Sequence, residues 1–476
     1  MSEPEELGVP GTARDFAIYI GVNVAIGVLL YYLTGNMPQT IAGTIFIATV
    51  IGTLMFWRFR VAIAFIGIAL LLLTRTIDLE HAISFMSLDV IVFLIGMMIL
   101  VGLLREAGFF RWLMIKIIGL SGFSPRRLMI SFMILSTLMA ALVDEVTSIL
   151  FITAMILELC DYFEVDPIPY IIMAVLATNI GSSATVLGNP IGILIALRAQ
   201  LTFEDFIRWA TPVAILSLLV LMPIALAWYR KDLKVFDEKM NAKLNRGGAF
   251  QLNEWAEVKD RGLFKGSALL FILVIAFIAV HYRLELLLGL EKNTILVAAS
   301  ITGAGVVMLW RRGKAREYVE KDVDWWTLVF FMLLFAKAGA LKYVGLTDRL
   351  AQGILGLSGG TGPIFIITLI LWVASFASSI LDNVVLVAAL IPVVKSLEGA
   401  GISSFPLWWA LLFGGCYGGN ITMVGSTANI VALGILEKRK HYYMRFFKWF
   451  WIGLLGGVLP TIVAQLLLTI QQPLMP

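Results

Sequence analysis

Three carboxylates stand in stretches of the sequence that are otherwise apolar. Asp144 and Glu145 follow the apolar segment LMISFMILSTLMAALV, and Asp382 follows the comparable segment TLILWVASFASSIL. A charged side chain at the centre of a bilayer costs about 2.5–3.5 kcal/mol on insertion scales, and such residues mark ion pathways. If these segments enter a membrane, the three carboxylates indicate a site that exchanges H⁺ or Na⁺.

Glycine and small polar residues interrupt apolar runs at four places, two in each half of the chain. The breaks lie at residues 144–148, 178–190, 378–383 and 418–429. Non-helical backbone at membrane depth is tolerated only inside the protein or beside a water-filled cavity, because its N–H and C=O groups need partners. Half-helix N-termini suit anions, whereas unwound carbonyls suit cations. The alternative is that the breaks are short loops outside the membrane.

The four breaks together predict one substrate- and ion-binding site near the middle of the membrane. Carboxylates would exchange the coupling ion, and hydroxyl and amide groups would hold the substrate. The candidate binding residues are Asp144, Glu145, Thr147, Asn179, Ser182, Ser183, Thr185, Asn189, Asp382, Asn383, Asn420, Thr422, Ser426, Thr427 and Asn429.

Lys337 is a further candidate, because it interrupts the apolar run LVFFMLLFAKAGAL. It could pair with Asp144 or Asp382, or contact an anionic substrate. It could equally be a lysine near a helix end whose amine reaches the membrane interface. The sequence leaves both interpretations open.

Composition requires that these residues be carried on membrane-spanning helices. Of the 476 residues, 60% are hydrophobic and 14% are charged, whereas soluble domains carry about 25% charged residues. A span needs about 20 apolar residues, and roughly a dozen segments cross or dip into the membrane by that measure. The acidic N-terminal segment and the lack of a cleavage site predict that the first apolar stretch is retained as a helix.

The chain repeats itself at an almost constant offset. Gly102, Gly108 and the segment Thr185–Gly188 recur at one fixed offset as Gly339, Gly345 and the segment Thr422–Gly425, and Asp144 recurs at nearly the same offset as Asp382. Such duplication is typical of transporter folds. The predicted domains are an N-terminal segment with an extra membrane helix (1–38), a first repeat (39–229), a polar cytoplasmic linker (230–263) and a second repeat (264–476). The Lys- and Arg-rich linker sets the orientation by the positive-inside rule.

The motifs LDNVVLVAALIPV, GGNITMVGSTANIVALGI and TNIGSSATVLGNP resemble the ion transporter superfamily with a citrate-transporter-like domain. The similar branch includes arsenite-efflux permeases (ArsB), the melanosomal P protein and NhaD-type sodium/proton antiporters. The resemblance implies an all-α polytopic membrane protein with two inverted structural repeats, re-entrant hairpins, discontinuous helices and a homodimeric assembly. It places hairpin tips near Asp144 and Asp382 and unwound segments at 179–190 and 416–429. Glu145 departs from the Asp-Asn that P-like members carry at the first tip.

These observations favour an ion-coupled secondary active transporter, driven by H⁺ or Na⁺, for a small anion or its neutral acid, such as arsenite. The alternatives are a Na⁺/H⁺ antiporter and a citrate or dicarboxylate transporter. No H-E-x-x-H, G-x-x-x-x-G-K-[ST] or Cys/His ligand pattern indicates an enzyme, a cofactor or a resident metal. We expect an integral multi-pass protein of a prokaryotic inner membrane whose partners are the bilayer, the solute and the coupling ion, and no nucleic acid.

Overall fold

The structure is a computed structural model that describes residues 13–121, 124–245, 255, 258–358, 362–440 and 444–476. Residues 1–12 of the predicted N-terminal segment, and residues 246–254 and 256–257 of the predicted linker, lie outside the described residues. All regular secondary structure in the described ranges is helical.

The first half of the chain begins with a helix that the repeat does not include and ends with a charged helix in the linker. Its helices are α1 (Ala13–Thr34), α2 (Met37–Met55), α3 (Arg60–Leu73), α4 (Leu79–Ser84), α5 (Leu88–Glu106), α6 (Phe109–Leu120), α7 (Pro125–Leu142), α8 (Glu145–Phe163), α9 (Ile168–Gly181), α10 (Pro190–Ala199), α11 (Phe203–Asp205), α12 (Thr211–Trp228) and α13 (Arg230–Asn245). A π-helical turn, Phe206–Ala210, joins α11 to α12.

The second half runs through the same succession of long, short and broken helices. Its helices are α14 (Arg261–Leu288), α15 (Thr294–Trp310), α16 (Ala315–Glu317), α17 (Trp325–Tyr343), α18 (Leu346–Ser358), α19 (Pro363–Ser378), α20 (Asn383–Gly399), α21 (Phe405–Gly418), α22 (Thr427–Lys440) and α23 (Phe446–Gln471).

Nine helices in the described ranges are long and apolar enough to cross a membrane. A tenth span results if the pair Thr294–Trp310 and Arg312–Asp322, which is bent by 100°, is counted as one. Three shorter apolar helices, α9, α10 and α19, belong to the broken segments. The prediction of an all-α polytopic membrane protein with discontinuous helices is therefore confirmed.

The duplication seen in the sequence is also present in the helix boundaries. The starts of α7, α8, α9 and α10 precede those of α19, α20, α21 and α22 by the same near-constant offset that relates the sequence motifs. Proline occupies the first turn of both α7 and α19, where its missing N–H costs nothing and its fixed φ suits the helix. Each repeat therefore supplies a helical hairpin followed by an interrupted helix.

The helices form two compact units. Unit 1 comprises Met1–Ile91, Asp324–Gly360 and Ala388–Ile402, and unit 2 comprises Val92–Val323, Thr361–Val387 and Ser403–Pro476. Unit 2 contains both hairpin tips and both interrupted segments, and therefore the three carboxylates. Unit 1 contains Lys337.

Candidate functional site

The two hairpin tips in unit 2 present their aspartates in matching roles. Asp144 caps α8, and its Oδ1 accepts a 2.7 Å hydrogen bond from the backbone N–H of Thr147. Asp382 precedes α20, and its Oδ1 accepts from the backbone N–H of Val384 at 3.0 Å. Its second oxygen, Oδ2, accepts from the Thr427 hydroxyl at 3.0 Å. Both aspartates thus stabilise a helix N-terminus, as N-capping residues do, and Asp382 also binds α22.

The next residue at each tip is buried and has polar side-chain atoms without a hydrogen-bond partner among the described residues. Glu145 and Asn383 open α8 and α20, at equivalent positions of the two repeats, and are 1% and 0% exposed. Among the described residues, no hydrogen bond reaches Glu145 Oε2 or either polar atom of the Asn383 amide. Glu145 lies near Asn383, Ser182 and Asp382. Buried polar groups without partners are rare in proteins, so these atoms are the strongest candidates for contacts with a transported ion or solute.

The interrupted helices pack directly behind the tips. Residues 182–189 and 419–426 are not in regular helix. The observed unwound segments are therefore shorter than the predicted ones, 179–190 and 416–429. The Thr185 hydroxyl donates to the carbonyl oxygen of Ala141, and the Thr422 hydroxyl donates to that of Ser379. The same bond therefore ties an unwound segment to its hairpin in both repeats.

Asn179, in the last turn of α9, connects this helix to the second unwound segment and to α22. Its Nδ2 donates to Asn420 Oδ1 at 2.7 Å and to Asn429 Oδ1 at 2.9 Å. Its Oδ1 accepts from the Ser426 hydroxyl at 2.9 Å. Asn420 and Asn429 in turn donate to backbone carbonyls, including that of Gly419. All four polar side chains, those of Asn179, Asn420, Ser426 and Asn429, are buried. In this conformation they bond to one another and stabilise the packing of the helices rather than contact a ligand.

A second polar cluster surrounds the first unwound segment. Asn189 caps α10 through its Oδ1, which accepts from Gly192 N–H at 2.8 Å. Its Nδ2 donates to the Ser182 hydroxyl at 3.0 Å and to Cys416 Sγ at 3.1 Å. Ser183 Oγ lies 3.1 Å from the Tyr417 hydroxyl. Sequence reasoning missed Cys416 and Tyr417, although the repeat offset places Cys416 at the position that Asn179 occupies in the first half.

The electrostatic character of the site is acidic. Asp144, Glu145 and Asp382 lie near one another, and Arg105 is a cation that acts on Asp144. Arg105 is itself ion-paired with Asp322. The two aspartates accept their hydrogen bonds from backbone N–H groups and a threonine hydroxyl, which are neutral donors, so the site suits a cation or a proton. The fifteen predicted binding residues all belong to unit 2.

Lys337 belongs to unit 1 and is fully inside it. Its side chain is 1% exposed, and Nζ donates to the Thr49 hydroxyl at 2.6 Å. The Thr49 hydroxyl donates onward to the carbonyl oxygen of Ile45 at 2.9 Å. A Cβ placed on Gly67 would approach Lys337 Nζ to 2.8 Å. Lys337 therefore does not reach out to a membrane interface, which removes that interpretation.

Substituting Asn179 tests the bridge between α9 and the second unwound segment. Asn179→Leu keeps the number and branching of the side-chain heavy atoms but leaves buried amide and hydroxyl groups of three neighbours without a partner. Each such loss costs about 1–3 kcal/mol, so we expect a marked fall in the thermal melting temperature of the purified protein. Ser183→Ala is the milder comparison, because it removes a single buried hydroxyl in the first unwound segment. Equal melting temperatures for Asn179→Leu and the wild type would contradict the bridging role.

Substituting Lys337 tests whether its amine stabilises unit 1. Helices α2, α3 and α17 contain no Asp or Glu, so the amine has a hydroxyl but no carboxylate partner on them. Replacing buried charges by apolar residues of similar volume is often neutral or stabilising. Lys337→Met is therefore expected to melt at or above the wild-type temperature, and Lys337→Ala, which leaves a cavity, clearly below it. A large fall for Lys337→Met would show that the amine stabilises unit 1 through its bond to the Thr49 hydroxyl.

Comparison with known proteins identifies the family of the chain. The family model described as citrate transporter (CitMHS) matches residues 44–414. An uncharacterized transporter of Mycobacterium tuberculosis is 33% identical over 353 residues, which cover 74% of this chain and 78% of the relative. The P protein of Homo sapiens is 28% identical over 437 residues, covering 78% of this chain and 52% of that protein.

A solved structure shares the architecture. The crystal structure of the YdaH transporter of Alcanivorax borkumensis superposes with a TM-score of 0.53 at 17% identity, covering 80% of this chain and 85% of that one. This similarity supports the fold alone. The family model and the sequence relatives confirm the predicted superfamily. The chain belongs to the citrate transporter family and is an integral, multi-pass membrane transporter.

Proposed function

We propose that this protein is an ion-coupled secondary active transporter, driven by H⁺ or Na⁺, for a small anion or its neutral acid, in the manner of arsenite-efflux permeases and the P protein. The observation that carries the proposal is the pair of buried tip residues, Glu145 and Asn383: Glu145 Oε2 and both polar atoms of the Asn383 amide have no hydrogen-bond partner among the described residues. A titratable carboxyl beside an amide can bind and release a coupling cation. The Asp144 and Asp382 caps hold the tips in place.

The acidic character of the site restricts the substrate. Three neighbouring carboxylates repel a free anion, because like charges at short range in a medium of low dielectric constant interact strongly. A substrate that enters as a neutral acid, or together with a cation on Glu145, avoids this repulsion. The N-termini of α8 and α20 supply partial positive charge that an oxyanion can use. Arsenite, as its neutral acid, meets these requirements.

Two other functions have specific support. Na⁺/H⁺ antiport needs only a carboxylate that binds either ion, and the unpartnered oxygen of Glu145 would provide it. A citrate or dicarboxylate substrate is suggested by the description of the matching family model. A multiply charged anion would need basic ligands or several cations at the site, so we rank this function below the other two.

The test is a flux measurement with the purified protein in liposomes. Arsenite, citrate, succinate, sulfate and Na⁺ are each offered under an imposed Na⁺ gradient, an imposed pH gradient or neither. Gradient-driven accumulation of arsenite or another small oxyanion supports the proposal. Exchange of Na⁺ for H⁺ with no solute flux establishes the antiporter, and gradient-driven citrate or succinate uptake establishes the carboxylate transporter. A solute flux that is the same with and without the imposed Na⁺ and pH gradients would contradict ion coupling.

A further inference from the structure

A cavity of about 400 Å³ lies in unit 2 where the start of α7, the end of α12 and the start of α13 meet. Arg126, Arg230 and Lys234 line it together with one carboxylate, Asp237. Arg126 lies on α7, whereas Arg230 and Lys234 lie on successive turns of α13. All three side chains are exposed. The floor is apolar and includes Leu226, Ala227 and Leu233. A cationic rim over an apolar floor is suited to an amphipathic anion.

The cavity lies at the level where a spanning helix leaves the membrane. The α12 side chains Leu219 and Val220 are exposed, as expected of a face that contacts lipid. The helix ends at Trp228, which is 49% exposed, and Arg230 follows closely. Tryptophan followed by basic residues marks a membrane–water boundary. The rim of the cavity therefore stands at the height of the phospholipid headgroups.

The wall formed by α13 is fixed in position. Leu233, Phe236 and Met240 recur on one helical face and are buried. The Tyr170 hydroxyl donates to the carbonyl oxygen of Asp232 at 2.9 Å, and Lys243 Nζ donates to that of Tyr162 at 2.5 Å. These bonds fasten α13 to the ends of α8 and α9. The cavity is thus built by packing and does not depend on the charged side chains that line it.

We propose that this cavity binds an anionic phospholipid. The phosphate group would lie among Arg126, Arg230 and Lys234, and the start of the acyl chains would cover Leu226 and Ala227 on the membrane side. Basic pockets at the cytoplasmic ends of membrane helices suit anionic headgroups, since that leaflet carries the negative surface potential. The positive-inside rule predicts that the linker is cytoplasmic, which would put the cavity in this leaflet. The apolar floor favours a lipid over a free phosphate.

The first test compares lipid binding by the purified full chain in detergent, measured by native mass spectrometry. Phosphatidylglycerol is titrated against phosphatidylcholine with the same acyl chains. Each basic residue near a surface contributes about tenfold or less to binding of anionic lipid. We expect R126Q/R230Q/K234Q to lose at least about tenfold in phosphatidylglycerol affinity. The matched control, R312Q/R316Q/K321Q, removes the same residue types from exposed positions and should bind normally.

Two further variants keep the result independent of folding defects. Asp237→Asn removes the carboxylate of the cavity and should strengthen phosphatidylglycerol binding. Ala227→Trp keeps every charge but fills the floor, and should weaken it. Equal losses of phosphatidylglycerol affinity in the two triple variants would overturn the proposal. They would show that the lipid is attracted to positive surface charge in general and not to this cavity. Competition by glycerol 1-phosphate as strong as by the lipid would also overturn it in favour of a free phosphate.

Discussion

Glu145→Gln is expected to lower gradient-driven transport by more than about 100-fold, because a coupling cation that loses its buried carboxylate partner loses about 3–5 kcal/mol of stabilisation. The substitution keeps the size and shape of the side chain beside Asn383. It removes only the negative charge and the capacity to carry a proton. The protein should therefore fold and melt normally, while the imposed H⁺ or Na⁺ gradient no longer drives solute uptake into liposomes.

The control for this variant lies on the same helix. Glu158 is a half-exposed carboxylate of α8 that lies 3.4 Å from Arg111, and exposed pairs of this kind contribute little. Glu158→Gln should therefore transport like the wild type. Asp382→Asn should reduce transport as well, because it also loses charge at the tip. Unchanged flux and unchanged ion dependence in Glu145→Gln would remove Glu145 from the site.

Gly418→Ala is expected to destabilise the folded protein by at least about 3 kcal/mol, the upper range for overpacked sites. A Cβ at this position would lie 2.0 Å from the carbonyl oxygen of Ser375 in α19. Its counterpart Gly181 would meet the carbonyl oxygen of Thr137 in α7 at 2.3 Å. Backbone atoms cannot rotate away, so each hairpin would have to separate from its broken helix. Thermal melting in detergent and the yield of monodisperse protein measure the effect.

Gly434 provides the comparison for this prediction. It lies in α22, where an added Cβ would meet no atom within 4 Å, and Gly→Ala inside a helix stabilises by about 1 kcal/mol. Gly434→Ala should therefore melt at or above the wild-type temperature. If Gly418→Ala and Gly181→Ala both melt within a degree or two of the wild type, the close approach of hairpin and broken helix is not required for the fold.

The sequence predicts the hairpin tips well because their signal is local and strong. Asp144 and Asp382 interrupt long apolar runs, and an aspartate before a helix is a capping residue wherever it occurs. The constant offset also pairs α7–α10 with α19–α22 from the sequence alone. Burial, capping and repetition thus agree at these positions. The predicted unwound segments, 179–190 and 416–429, extend beyond the observed ones, 182–189 and 419–426, by only a few residues at each end.

The sequence does not predict which of the polar residues bond to one another and which have no partner. Asn179 bonds with Asn420 and Asn429, which lie 241 and 250 positions away in the sequence, and no local pattern shows which amide meets which. In the sequence they look the same as Asn383, whose amide has no partner among the described residues. Lys337 presents the same difficulty, because its hydroxyl partner, Thr49, is 288 positions away. Whether a buried polar group finds a hydrogen-bond partner depends on the tertiary packing, which the local sequence does not show.

The most direct test of a shared ion site at the tips is carbodiimide labelling of the purified wild-type protein, mapped by mass spectrometry. Carbodiimides modify carboxyl groups in apolar surroundings. We predict modification of Glu145, slowed by saturating amounts of the ion or solute that the flux panel identifies. Labelling of Glu145 that no ion or solute slows, or labelling confined to exposed carboxylates such as Glu317, would contradict a shared ion site.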